Sequence, residues 1–236
     1  VDRAQGDEDT LSTSRARVVT CGHITAPLCG CTPSSFSVIV ADPPWKFGDK
    51  LPGAGRGAEK HYDVMTVQDI CNLQLPPIAN DAHLFMWRVS SMQQEALDVV
   101  KAWGFTVKSE LVWLKRTKNG KEHFGMGRHV RLSHEVCLIA TRGRGAGVLN
   151  RSQRSIFSTQ FDEDGGGEFE GRVGRHSRKP DEFYEIVEGL FAPDVSRLEL
   201  FAREERLGWT TIGNDVPGAS VTLAVSSGAA TPAETP

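Results

Sequence analysis

The chain of 236 residues has no apolar run approaching the ~20 residues that a membrane-crossing helix needs. Its start, Val1 to Thr20, is charged and has no apolar core, so it does not read as a signal peptide. Together these features predict a soluble protein with a cytoplasmic or nucleoid address and no membrane partner. Cysteine is sparse and odd in number, five in all, which excludes a disulfide-scaffold fold and fits reduced thiols. One cluster, Cys21-x-His23-x5-Cys29-x-Cys31, offers four potential zinc ligands. Its spacing is neither that of a finger nor that of a ribbon, so no metal is expected. Cys71 and Cys137 lie within apolar runs, as core residues do. An excess of positive charge is also missing. With 27 basic and 30 acidic side chains, the net charge of -3 argues against a protein that simply coats DNA.

The distribution of charge is more telling than its sum. Residues 101–160 hold 12 lysines and arginines against 3 acids, whereas residues 161–200 hold 5 against 11. A basic middle within a mildly acidic chain matches a local polyanion groove, and equally a solvated face.

Residues 1–16 are polar and the stretch 217–236 is rich in Ala, Ser, Thr and Pro. Both read as disordered flanks of a single domain over 17–216. Within it, short apolar runs predict buried parallel strands at Ser37–Ala41, His83–Trp87, Thr106–Leu114, Glu135–Thr141 and Arg197–Ala202, with Arg17–Thr20 and Thr210–Ile212 as weaker candidates. Helical segments alternate with them. Thr66–Leu73 opens on a threonine N-cap with Asp69 in its first turn, Ser91–Trp103 carries an apolar stripe, and Pro180–Leu190 begins with proline and acids. The alternation predicts an α/β fold: a mostly parallel sheet with helices on both faces. Three long connections remain, Lys46–Tyr62, Lys115–Leu132 and Arg142–Lys179, the last with an acidic, glycine-rich insert around 162–170. Loops of that length in a compact domain are usually functional or disordered.

The first of these loops leaves the strand Ser37–Ala41 through Asp42-Pro43-Pro44-Trp45. Two prolines cannot continue a ladder, so the strand ends there with its backbone fixed, where a carboxylate and an indole emerge. In isolation this is also what a two-proline turn looks like. Its chemistry suits a planar amino-aromatic group. The amino nitrogen of adenine is a poor nucleophile because its lone pair is delocalised into the ring. The Asp42 carboxylate and the Pro43 carbonyl would accept its two hydrogens, and Trp45 would stack on the base, a contact worth ~1–3 kcal/mol. In a duplex the base must first be extruded.

The tetrad resembles the DPPW motif of the adenine-N(6) methyltransferases, a family that includes messenger-RNA adenosine methyltransferases and bacterial DNA methyltransferases. Further segments match in order: Leu84-Phe85-Met86-Trp87, the glycine-rich run Gly125–Glu135 in its prokaryotic form, His176-Ser177-Arg178-Lys179-Pro180-Asp181-Glu182, Glu199-Leu200-Phe201-Ala202-Arg203, and Gly208–Asp215. The likeness spans about residues 36–215. It implies a Rossmann-like, S-adenosylmethionine-dependent methyltransferase fold with permuted motif order, and direct transfer to the adenine amino group.

The resemblance implies roles residue by residue. Asp42, Pro43, Pro44 and Trp45 would be catalytic. Asp42, Lys179, Glu199, Arg203, Asn214 and Asp215 would face the cofactor, with Glu199 also readable as structural. Tyr62 and Trp45 would contact the target base; independently of the resemblance, the basic middle of the chain makes Lys115, Arg116 and Arg131 candidate contacts to the nucleic acid. Arg131 and the His134-Glu135 pair also read as a brace for the site, and Trp87 as core. One departure stands out: Cys21-Gly22-His23-Ile24 places His23 where the family carries an acid that grips the cofactor adenine. The prokaryotic form of the 125–135 loop favours DNA over RNA. With only loops to spare for target recognition, the expected sequence preference is short or relaxed. A homo- or heterodimer remains open, as does a silent scaffold subunit, against which the intact tetrad and Lys179 argue.

Overall fold

A computed structural model describes residues 23–25, 34–46, 64–125, 127, 129–160 and 178–213. The expected strand at Arg17–Thr20, the two flanks, the cluster of Cys21, Cys29 and Cys31, the acidic insert, Tyr62, Asn214 and Asp215 all lie outside these residues.

Among the described residues, eight strands form one sheet: β1 (His23–Thr25), β2 (Phe36–Ala41), β3 (Ile78–Arg88), β4 (Thr106–Arg116), β5 (His134–Arg142), β6 (Ile156–Gln160), β7 (Arg197–Leu200) and β8 (Thr210–Gly213). Their order across the sheet is β1-β8-β7-β2-β3-β5-β4-β6. The strand bearing the tetrad, β2, is central and pairs in parallel with both β3 and β7. Parallel pairs β7–β8 and β4–β6 extend the sheet on either side. The mostly parallel sheet expected from the sequence is therefore present, with β1 and β5 running the other way.

The reversal of β5 has a simple cause. A parallel neighbour needs a crossover of a dozen or more residues, usually a helix. The chain from β4 to β5 instead folds back as an extended hairpin, in which Thr117 N–H donates to Lys121 O and Gly125 N–H to Leu132 O. Strand β6 falls inside the connection expected to be one long loop over 142–179. Its sequence Ile-Phe-Ser-Thr-Gln has no apolar run to announce it, and it is held as an edge strand by β4.

Among the described residues, three helices cover the sheet: α1 (Val67–Cys71), α2 (Gln93–Ala102) and α3 (Asp181–Leu190). Thr66 caps α1 as expected, its Oγ1 accepting the Asp69 N–H at 3.1 Å. Alternation along the central strands sorts their side chains into two cores. Ile39, Ala41, Leu84 and Met86 pack under α1 and α2 with Ile70, Val99 and Trp103. Val38, Val40, Phe85 and Trp87 pack under α3 with Phe183, Tyr184 and Val187. Both faces are thus covered, which explains why the strands read as continuous apolar runs. All five tryptophans are buried. Four donate their indole N–H: Trp45 to Trp87 O, Trp103 to Ile70 O, Trp113 to Thr159 Oγ1 and Trp209 to Glu188 Oε1.

Candidate active site

Because β5 is reversed, its first residues lie beside the last residues of its neighbours: Trp113 faces Glu135, and Arg88 faces Val136. The carboxyl ends of β2, β3, β4 and β7 and the amino end of β5 therefore share one edge of the sheet. A cavity of about 370 Å3 opens there. It lies where open α/β sheets bind ligands and is within the usual range for small-molecule pockets.

The tetrad forms one wall. Asp42, Pro43, Pro44 and Trp45 all line the cavity. The turn is tight: the Trp45 N–H donates to Pro43 O at 2.9 Å, leaving one lone pair of that carbonyl for another donor. The next segment clamps it, Met65 N–H donating to Pro44 O at 2.8 Å and Lys46 N–H to Met65 O at 3.0 Å. Trp45 is only 4% exposed and packs with Met65 and Ile70 in the core under α1 and α2. The ring expected to stack on the target base lines the cavity as a fixed wall.

Opposite the tetrad stands a ladder of alternating charge. Lys179, in the segment entering α3, places its Nζ 2.7 Å from Asp42 Oδ2 and 3.3 Å from Glu135 Oε2. Lys115 Nζ lies 2.5 Å from Glu135 Oε1. Lys179 also sits 5.1 Å from the centre of the Trp87 ring, and Lys115 4.7 Å from that of Trp113. The Lys179 side chain is 10% exposed and that of Asp42 25%, so these charges meet at reduced dielectric.

Burial pushes the Asp42 carboxyl above its ordinary range, opposed by the Lys179 ammonium and, more weakly, by Arg203. Burial acts against charge on Lys179 too, but Asp42 and Glu135 outweigh it and hold the ammonium well above its ordinary range. Glu135, likewise penalised by burial, is brought down to about 2 by Lys179 and Lys115. Lys179 is thus a fixed cation between two carboxylates.

Local structure delivers these groups. Pro180 caps α3 in an extended conformation, so Lys179 precedes the helix and reaches back over the sheet edge. Arg178 bonds Asp181 and Glu204, and Arg206 bonds the same two acids, tying this entry to the chain after β7. There Phe201 adopts φ 63°, a left-handed turn that costs a bulky residue energy, and Arg203 beyond it lines the cavity. Gly213 at the end of β8 runs so close that an added Cβ would fall 1.8 Å from Ala202 O, so only glycine fits beside this turn.

Among the expected site residues, the structure brings together the tetrad, Lys179, Arg203 and Lys115. Lys115, expected as a nucleic-acid contact, lines the cavity paired with Glu135. Arg116 and Arg131 do not line the cavity; they bond Gly120 O and Gly127 O on the adjacent hairpin. Glu199 does not line it either. It is 8% exposed on the α3 face and accepts the Tyr184 hydroxyl at 2.6 Å on Oε1, while Oε2 has no partner among the described residues. Trp87, expected as core, is core and cavity wall at once. His123, Leu132 and His134 also line the cavity, as does Glu135, expected only as part of a brace.

Burial pushes the Glu199 carboxyl up to about 7, although Tyr184 and Arg206 favour its charge. Between its unfolded value of about 4.3 and that figure the folded state holds the extra proton, so stability falls as pH rises through this window. Glu199→Gln is expected to gain on the wild type by up to about 3 kcal/mol at pH 8 and by little at pH 4. Thermal melts of both proteins at the two pH values check this; a pH-independent difference contradicts it.

A covered, mostly parallel sheet with a charged cavity at its carboxyl edge is a Rossmann-like α/β architecture. The chain belongs to the MT-A70 family, whose model matches residues 36–215. It is 31% identical to an N(6)-adenosine-methyltransferase MT-A70-like protein of Drosophila melanogaster over 78% of this chain and 27% of that protein. It is 29% identical to the human N(6)-adenosine-methyltransferase catalytic subunit METTL3 over 78% of this chain and 28% of that protein. It thus spans about a quarter of the length of these relatives. A third relative, the Type II methyltransferase M.MunI of a Mycoplasma species, is 28% identical over 77% of this chain and 78% of its own length.

Proposed function

We propose that this protein transfers a methyl group from S-adenosylmethionine to the exocyclic amino group of adenine in DNA. The observation that carries the reading is the Asp42–Pro43 wall, a carboxylate and a carbonyl with a free lone pair side by side on a rigid turn, facing a cavity of small-molecule size. The donor set fits the cofactor: a molecule with an ammonium, a sulfonium and a carboxylate needs an acid and cations, and Asp42, Lys179 and Arg203 offer them. Asn214 and Asp215 would complete the cofactor side, and Tyr62 the base side, by family likeness.

Bound there, S-adenosylmethionine supplies an electrophilic methyl. Asp42 and the Pro43 carbonyl accept the two amino hydrogens, which pyramidalises the nitrogen and stabilises the positive charge that grows on it. Asp42 must be ionised to do so, and the Lys179 ammonium opposes the upward push of burial on its carboxyl. Trp45 and Pro44 form the rigid wall against which the base is held.

DNA is favoured by the prokaryotic form of the 125–135 run and by the match over most of both lengths to a Type II methyltransferase. RNA is the second reading, favoured by the relatives named N(6)-adenosine-methyltransferases. Tritiated methyl transfer to single- and double-stranded DNA and RNA oligonucleotides tests the reading. Label is expected in DNA; label in RNA alone supports the second reading, and label in neither, with no cofactor binding by calorimetry, supports a silent scaffold.

A further inference from the structure

The β4–β5 hairpin holds an aromatic ring at the rim of the cavity. Phe124 is 73% exposed, an unusual position for a large apolar side chain, and both its neighbours, His123 and Gly125, line the cavity. Its placement is not slack. The His123 N–H donates to Lys115 O at 3.0 Å and the Gly125 N–H to Leu132 O at 3.0 Å. An added Cβ on Gly125 would fall 2.3 Å from that same Leu132 oxygen, so glycine here permits a close chain pairing that turns Phe124 outward. One side of the ring is taken: the Arg131 guanidinium lies 5.0 Å from its centre, anchored in turn to Gly127 O. The surroundings are basic, with Lys121 and Arg131 both exposed.

We propose that Phe124, backed by Arg131, is a stacking platform for the nucleobase next to the target adenine, on a single or locally opened strand; this rests on the nucleic-acid reading above. A ring backed by a cation, set in a basic rim, matches a flat base on a polyanionic strand better than it matches an apolar protein surface. The ring adjoins the cavity through both neighbours, so a base upon it belongs to a nucleotide adjoining the one inside. Stacking tolerates any base, since each has a π-face, which agrees with a short or relaxed sequence preference.

The test uses the full chain and short single-stranded oligodeoxynucleotides bearing one adenine, with an abasic site placed at either neighbouring position. Affinity is read by fluorescence anisotropy and methyl transfer on the same strands. The wild type is expected to lose roughly tenfold in affinity when one particular neighbour is abasic. Phe124→Ala is expected to bind the intact strand that much more weakly and to be indifferent to the abasic site, and Phe124→Trp to restore the sensitivity. Equal abasic penalties in wild type and Phe124→Ala overturn the proposal, as does a wild type that binds no strand. A change in oligomeric mass in Phe124→Ala with the abasic penalty retained also overturns it, and makes the ring a contact between protein copies. Sensitivity lodged in Phe124 without any methyl transfer leaves the platform standing and removes the proposed reaction; transfer without that sensitivity does the reverse.

Discussion

Asp42→Asn is expected to lower methyl transfer by roughly 10²–10³-fold while leaving the fold intact, the range seen when one preorganised group that stabilises transition-state charge is removed. The substitution keeps the size of the side chain and its place after β2. It removes the negative charge, and it lets the amide turn an N–H toward the amino group it should accept from. The ion pair with Lys179 at 2.7 Å is lost as well, but Lys179 keeps Glu135 at 3.3 Å, so no cation is stranded in the cavity. Single-turnover transfer with saturating oligonucleotide and cofactor separates the rate from binding. A fall confined to cofactor affinity, with the rate unchanged, would move Asp42 from the chemical step to cofactor binding.

Lys179→Met should be more damaging to stability and should change the pH dependence. It leaves only the weaker Arg203 to oppose the burial of Asp42 and takes from Glu135 one of two cations. Breaking a buried pair in this way costs roughly 3–5 kcal/mol. The sign of the pH effect follows from the cause. Lys179 lowers the Asp42 pKa against the upward push of burial, so its removal raises that pKa further. Less Asp42 is then ionised at neutral pH, and the rate should climb with pH over a range where the wild type is flat. Glu135, still paired with Lys115, stays charged. Lys179→Arg keeps the cation and is expected to keep the wild-type profile. A Lys179→Met variant with the wild-type pH profile would mean that the lysine does not govern the charge of Asp42.

How much of this was legible in the sequence depends on the kind of contact. The apolar run before Asp42 and the two prolines after it specify a buried strand and its end, and the structure places both there. The alternation of strands with α1, α2 and α3 is equally local, hence readable. The direction of β5 was not: Glu135–Thr141 is apolar enough for either orientation, and only the paired backbone of the 117–132 hairpin decides it. The charge ladder depends on that decision. Lys115 meets Glu135 because β4 and β5 are antiparallel in one register, and Lys179 joins them from a distant segment. Charge counting alone therefore read Lys115 as a nucleic-acid contact. Trp45 shows the converse. Its place in the motif marked it as functional, while its packing against Met65 and Ile70 is a tertiary fact.

The central claim is that the Asp42–Pro43 wall presents the amino group of adenine for methylation. Its most direct test is to incubate the protein with S-adenosylmethionine and an oligodeoxynucleotide, digest the product to nucleosides, and identify the methylated position by mass spectrometry, for wild type and Asp42→Asn. Methyl on the exocyclic nitrogen of adenine in the wild-type product, and little or none with the variant, is the predicted result. Methyl on another base or another nitrogen, or the same yield from Asp42→Asn, would contradict it.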